Sequence, residues 1–89
     1  MEKRILVVDD EPFNVIGMQL SLGRLGIKGL SRRVDRAYNG LEAVKKVKDA
    51  FLSGKHSYGL VITDISMPVM DGFEVSSQIR EFYLTQHAP

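Results

Sequence analysis

Cysteine and tryptophan are absent from the 89 residues, and aromatic residues make up only 8%. Without cysteine there is no disulfide, no thiolate metal site and no cysteine nucleophile, which fits a reducing compartment. Without Trp, the core must rest on Ile, Leu, Val and Phe. An excess of one charge is also missing: 12 Lys and Arg against 11 Asp and Glu leave a net charge of +1. Bulk charge therefore gives no strong pull toward nucleic acid or an anionic membrane. No apolar run approaches the roughly 18 residues of a membrane span. The N-terminus passes through a charged tripeptide into a strand-like run, which is not a signal peptide pattern. Repeats and low-complexity tracts are lacking. What remains is one small domain of globular composition, 44% hydrophobic and 26% charged. A domain this short buries only a modest fraction of its surface.

Two runs, Ile5-Leu6-Val7-Val8 and Leu60-Val61-Ile62-Thr63, are continuously apolar or β-branched. Strands without alternation are usually covered on both faces, as in parallel α/β sheets. Two helix-like segments lie between them, so the order reads β-α-β-α-β-α. The first helix is expected from near Pro12 to about Leu25, with Asp10 as N-cap. It carries two apolar stripes, Phe13-Ile16-Leu20 and Val15-Met18-Leu22-Leu25. One stripe can face the sheet, and the other calls for a further helix. Gly26, Gly29 and Ser31 open a loop. A weak strand around Arg33 to Ala37 suits a sheet edge. Asn39 with Glu42 resembles a capping box. Leu41, Val44, Val47 and Phe51 then form one stripe, with Lys45, Lys46 and Lys48 outside it. Ser53 to Ser57 reads as a loop. The last helix is expected to start at Asp71-Gly72, with Val75, Ile79 and Phe82 inward.

Both apolar runs end in acid: Asp9-Asp10-Glu11-Pro12 follows the first and Asp64 the second. Taken alone, the first cluster reads as a helix cap with favourable dipole charges, Asp64 as a strand-end turn residue, and Met67 and Met70 as core filler. Together they suggest one acidic pocket at the ends of neighbouring strands. Mg²⁺ prefers oxygen ligands in an octahedral shell and keeps several waters. Asp10 and Asp64 could supply carboxylates, the Ser66 main-chain carbonyl a third ligand, and Asp9 could hold a metal-bound water. A carboxylate beside such an ion can accept a phosphoryl group, because the metal offsets the repulsion of the incoming phosphate.

Ile5 to Pro12, Asn39-Gly40-Leu41-Glu42-Ala43, and Asp64-Ile65-Ser66-Met67-Pro68-Val69-Met70-Asp71-Gly72 closely resemble response-regulator receiver domains. The likeness runs from about Lys3 to about Phe82. It implies a flavodoxin-like doubly wound parallel α/β sheet, here the first β-α-β-α-β-α portion in order 2-1-3. It implies Asp64 as phosphoacceptor, with Mg²⁺ held by Asp10, Asp64 and the Ser66 carbonyl, and by Asp9 through water. It implies that Met67, Pro68 and Gly72 shape the adjoining loop. The partner so implied is a histidine kinase or histidine phosphotransfer domain in a cytoplasmic two-component phosphorelay. The long loop at Gly26 to Arg33 and the His56 loop favour receivers of hybrid histidine kinases.

Receivers also use a Ser or Thr and a Lys that would lie beyond Pro89, so residues 1–89 are expected to form a single, partial receiver domain. Self-association through an exposed strand edge is an accompanying expectation. No nucleic-acid or membrane partner is expected for this chain. Two rival readings remain. One is a receiver-like interaction domain without phosphotransfer. The other is an Mg²⁺-dependent phosphohydrolase of the haloacid-dehalogenase type, which wants Asp-x-Asp. Ser66 and Glu11 stand where the second Asp is needed.

Overall fold

The computed structural model describes residues 2–64, 67 and 69–86. Strands β1 (Glu2–Val8), β2 (Val34–Ala37) and β3 (His56–Thr63) alternate with helices α1 (Pro12–Gly23), α2 (Gly40–Ser53) and α3 (Gly72–Gln86). All pairings are parallel and the sheet order is β2-β1-β3. This is the first part of a flavodoxin-like α/β fold, as the resemblance to receiver domains implied.

The central strand explains the continuous apolar run. Leu6 and Val8 face α2 and α3, where they pack with Ala37, Ala43, Val44, Val47, Met67, Met70 and Val75. Val7 faces the other way, onto Val15 of α1 and Val34 of β2. A strand buried on both faces cannot alternate with polar residues. The packed face is extended by an aromatic cluster: Phe51 of α2 meets Phe82 and Tyr83 of α3 edge-on, at 5.5 and 5.6 Å. Gly59 is the extra residue of a β-bulge, because the register passes from Arg4↔Tyr58 directly to Ile5↔Leu60.

Several local expectations need correction. Glu11, not Asp10, is the N-cap of α1, its side chain accepting from the Phe13 N–H at 3.4 Å. The Asp9 carboxylate accepts from the Glu11 N–H at 2.9 Å and turns the chain before the helix, which leaves Asp10 outside it. α1 stops at Gly23 rather than near Leu25, and a 3₁₀ turn at Leu30–Arg33 follows inside the expected loop. In α2 the buried stripe is Ala43, Val44, Val47 and Ala50, while Leu41 is 60% exposed. Small alanines let α2 lie close to the sheet, and Leu41 in its first turn is left at the surface. β3 begins at His56, so His56 and Ser57 are strand and not loop. The capping residues Asn39 and Asp71 do cap: their side chains accept from the N–H groups of Glu42 and Glu74 at 2.8 and 2.9 Å. Glu42 accepts from the Tyr38 N–H, one residue before the Asn39 N–H that a full capping box would use.

Candidate functional site

The acidic site is an extension of the sheet. Past the end of β1, the Asp9 N–H donates to the Ala37 carbonyl at 3.1 Å. Past the end of β3, the Asp64 N–H donates to the Val8 carbonyl at 3.0 Å. Val8 pairs with Thr63 and with Ala37, so the residue after each strand emerges at the same level. The pull of two apolar strands, β1 and β3, into one core thus brings acids distant in sequence together. Carboxylate oxygens of Asp9, Asp10 and Asp64 lie within 4.8 Å of one another. Asp9 and Asp64 are half-buried and Asp10 is exposed, so the cluster is open to solvent on the Asp10 side.

This donor set suits a hard divalent cation. Octahedral Mg²⁺ holds oxygens at about 2.1 Å, which puts neighbouring ligands about 3–4 Å apart. The hydrogen bond from the Glu11 N–H fixes one Asp9 oxygen and orients the rest of that carboxylate.

Of the other residues singled out in the sequence, Met67 is buried in the larger core cluster and Gly72 is a buried first residue of α3. Ser66 and Pro68 lie outside the described residues. Val69 has φ 70° and is 95% exposed. A β-branched residue in the left-handed region is strained, and the strain sits in the loop that follows Asp64. Sequence reasoning missed a cavity beside Asp10, lined by Tyr38, Asn39, Leu41, Met67, Val69 and Met70. Only the parallel crossover brings the β2–α2 loop against the loop after β3, and no local motif signals it.

Gly40 is required at that junction. A Cβ there would lie 2.8 Å from both Met70 Cβ and Val75 Cγ2. The Asn-Gly pair thus does two jobs: Asn39 caps α2, and Gly40 lets the helix start pack against the loop and α3.

The family model for the response regulator receiver domain matches residues 5–88. Two-component system protein A of Emericella nidulans is 39% identical over 83 residues, covering 93% of this chain and 11% of that protein. Hybrid signal transduction histidine kinase G of Dictyostelium discoideum is 41% identical over 80 residues, covering 90% of this chain and 2% of that protein. The receiver domain of the histidine kinase CKI1 from Arabidopsis thaliana, crystallised with Mg²⁺ and BeF₃⁻, superposes with a TM-score of 0.82 at 26% identity, over 98% of this chain and 60% of that one. The chain therefore spans a small part of these curated relatives and about three-fifths of the solved domain.

Proposed function

This chain belongs to the response regulator receiver domain family, and we propose that it accepts a phosphoryl group on Asp64 from a phosphohistidine partner. It is a receiver of two-component signalling, a class of phosphoacceptor domains rather than of conventional enzymes. Residues 1–89 act in it as one partial receiver unit. The observation that carries the proposal is the convergence of Asp9, Asp10 and Asp64 within 4.8 Å at the ends of β1 and β3.

Asp64 is the nucleophile. One of its carboxylate oxygens forms a bond to phosphorus while the phosphorus–nitrogen bond of the donor imidazole breaks. The bonding pair returns to the imidazole nitrogen, leaving an acyl phosphate on Asp64 and a neutral histidine once that nitrogen is protonated. Mg²⁺ would be held by Asp10 and Asp64, with Asp9 holding it through a water; the Ser66 carbonyl, proposed as the third ligand, lies outside the described residues. Bound there, the ion supplies positive charge against the phosphate oxygens. Asp64 is held in place by its backbone bond to Val8, so the nucleophile needs little reorganisation. Met67 and Gly72 anchor the loop after it in the core. A histidine kinase or a histidine phosphotransfer domain is the donor. The Mg²⁺ and BeF₃⁻ bound by the Arabidopsis receiver support this reading by likeness.

The test uses phosphoramidate, a small donor with the same phosphorus–nitrogen bond. With Mg²⁺ present, the intact mass should rise by one phosphoryl group. The gain should vanish with chelator and in Asp64→Asn. No gain in the wild type, or an equal gain in Asp64→Asn, would contradict the assignment.

A further inference from the structure

The net charge of +1 hides a segregation of charge along the sheet. The acids of the candidate site stand where the strands end. At the opposite end, where β1 and β2 begin, the chain from Pro12 to Val34 carries Arg24, Lys28, Arg32 and Arg33 and no acid at all. Lys3 of β1 and Lys55 before β3 lie at the same end by the parallel register. The acids near them are engaged. Glu2 and Asp35 both pair with Arg4, at 3.2 and 2.8 Å. None of the four cations between Arg24 and Arg33 forms an ion pair among the described residues.

The segment between α1 and β2 has a defined form. Buried Leu30 roots it in the core. The Arg33 guanidinium donates to the carbonyls of Gly29 and Lys28, and Arg4 donates to the Arg32 carbonyl. Gly26 and Gly29 turn at φ 73° and 76°. Between those braces the run Arg24-Leu25-Gly26-Ile27-Lys28 projects outward, with Leu25 62% and Ile27 55% exposed. A Cβ added at Gly26 or Gly29 would meet nothing within 4 Å, so the space beside both turns is open.

We propose that this amino-end loop docks on an anionic lipid surface. Unpaired cations supply attraction to anionic headgroups, and two exposed aliphatic side chains flanked by cations can enter the headgroup boundary. A purely acidic peptide would engage the cations and leave Leu25 and Ile27 exposed. A single-stranded nucleic acid would favour aromatic rings for stacking, and residues 24–33 contain none. β1 spans seven residues, roughly 23 Å at strand rise. That exceeds the screening length of about 8 Å at physiological ionic strength, so the acidic end does not cancel the attraction. Docked this way, the acidic site points away from the lipid and stays open to a protein partner.

The test is co-sedimentation with vesicles of phosphatidylcholine alone or doped with phosphatidylserine. Binding is expected only to the doped vesicles, falling as salt is raised. It should drop by about tenfold or more in Lys28→Glu/Arg32→Glu and measurably in Ile27→Ser. The circular dichroism spectrum of both variants should stay unchanged, since these side chains are exposed. No binding to doped vesicles, equal binding to neutral ones, or tighter binding to an oligonucleotide than to doped vesicles would each overturn the proposal. So would retained binding in the charge-reversal variant.

Discussion

The two faces of the sheet are built to different standards. On one, α2 and α3 close over Leu6, Val8 and Ala37 and bury a continuous cluster that includes Met67, Met70 and Val75. On the other, α1 buries Val15 against Val7 and Val34, while Phe13 and Leu20 on its outer side are 82% and 61% exposed. The difference shows where the candidate site draws its rigidity. Asp64 and Asp9 emerge from strands pinned by the packed face, and the loop after Asp64 is anchored there by Met67 and Met70. The α1 face contributes the helix start beside the site but little of the core. An apolar outer stripe on α1 and a half-exposed Leu60 on β3, the last strand of the described sheet, mark surface suited to a further covering element.

The sharpest way to break this comparison is a pair of truncations. Leu6→Ala on the packed face should destabilise by about 2–5 kcal/mol, the range for a fully buried leucine. Leu20→Ala on the outer face of α1 should change stability by no more than about 0.5 kcal/mol. Urea unfolding of both variants checks this. Equal effects would mean that the outer stripe of α1 is buried in solution, by a second copy or by another segment.

Next in size is the junction that carries the loop. Gly40→Ala should destabilise by about 1–3 kcal/mol, because the new methyl overlaps Met70 and Val75 and the packed face must shift. The same variant should weaken Mg²⁺ binding, since Met70 belongs to the loop that follows Asp64. A Gly40→Ala variant as stable as wild type would show that the helix start has slack.

A third prediction concerns the far end of the packed face. Arg4 forks onto both Asp35 oxygens at 2.8 Å, and the Tyr58 hydroxyl donates to Asp35 at 2.6 Å. The guanidinium holds the Asp35 carboxyl below its usual range, with the Tyr58 hydrogen bond adding to this against the opposing effect of burial. Burial, with Asp35 second, pushes the Tyr58 phenol up. A depressed carboxylate contributes stability above its unfolded pKa, near 3.9, and loses it as pH falls through the folded value. Asp35→Asn should therefore be less stable than wild type by about 1–2 kcal/mol at pH 7. The two should converge as pH drops below about 4. Urea midpoints compared at neutral and acid pH measure this, and a gap that widens in acid would reverse the sign.

The smallest effect is expected at Val69. Replacing a β-branched residue at φ 70° by glycine relieves left-handed strain of about 1–2 kcal/mol, partly offset by glycine's entropy. Val69→Gly should therefore stabilise by about 0.5–1 kcal/mol, visible as a raised thermal midpoint. A loss of stability would mean that the loop gains more from the valine than its exposed position suggests.

Much of this was legible in the sequence, and the reasons are local. Two apolar runs that each end in acid had to be neighbouring parallel strands, and β1 and β3 pair with Val8 opposite Thr63. Asn39 and Asp71 are caps because short polar side chains satisfy the first N–H groups of a helix. What stayed hidden depends on distant partners. Nothing near Arg4, Asp35 or Tyr58 in sequence announces that strand register brings them together. Gly40 reads as turn punctuation until Val75 and Met70 are set beside it. Asp10 reads as the cap, and only the Asp9 turn passes that role to Glu11. Leu41 fits the apolar stripe of α2 by period, yet it is exposed and lines the cavity beside Asp10. The exchange of roles is informative at the site: the acid freed from capping is the exposed member of the carboxylate cluster.

The most direct test of the acidic site as a divalent-cation centre is a ¹⁵N–¹H spectrum recorded through a Mg²⁺ titration. The expected result is a saturable set of shifts centred on the amides of Asp9, Asp10 and Asp64, with Arg4, Asp35 and Tyr58 at the opposite end unmoved. A spectrum indifferent to Mg²⁺, or shifts spread over the exposed acids of the whole surface, would contradict it.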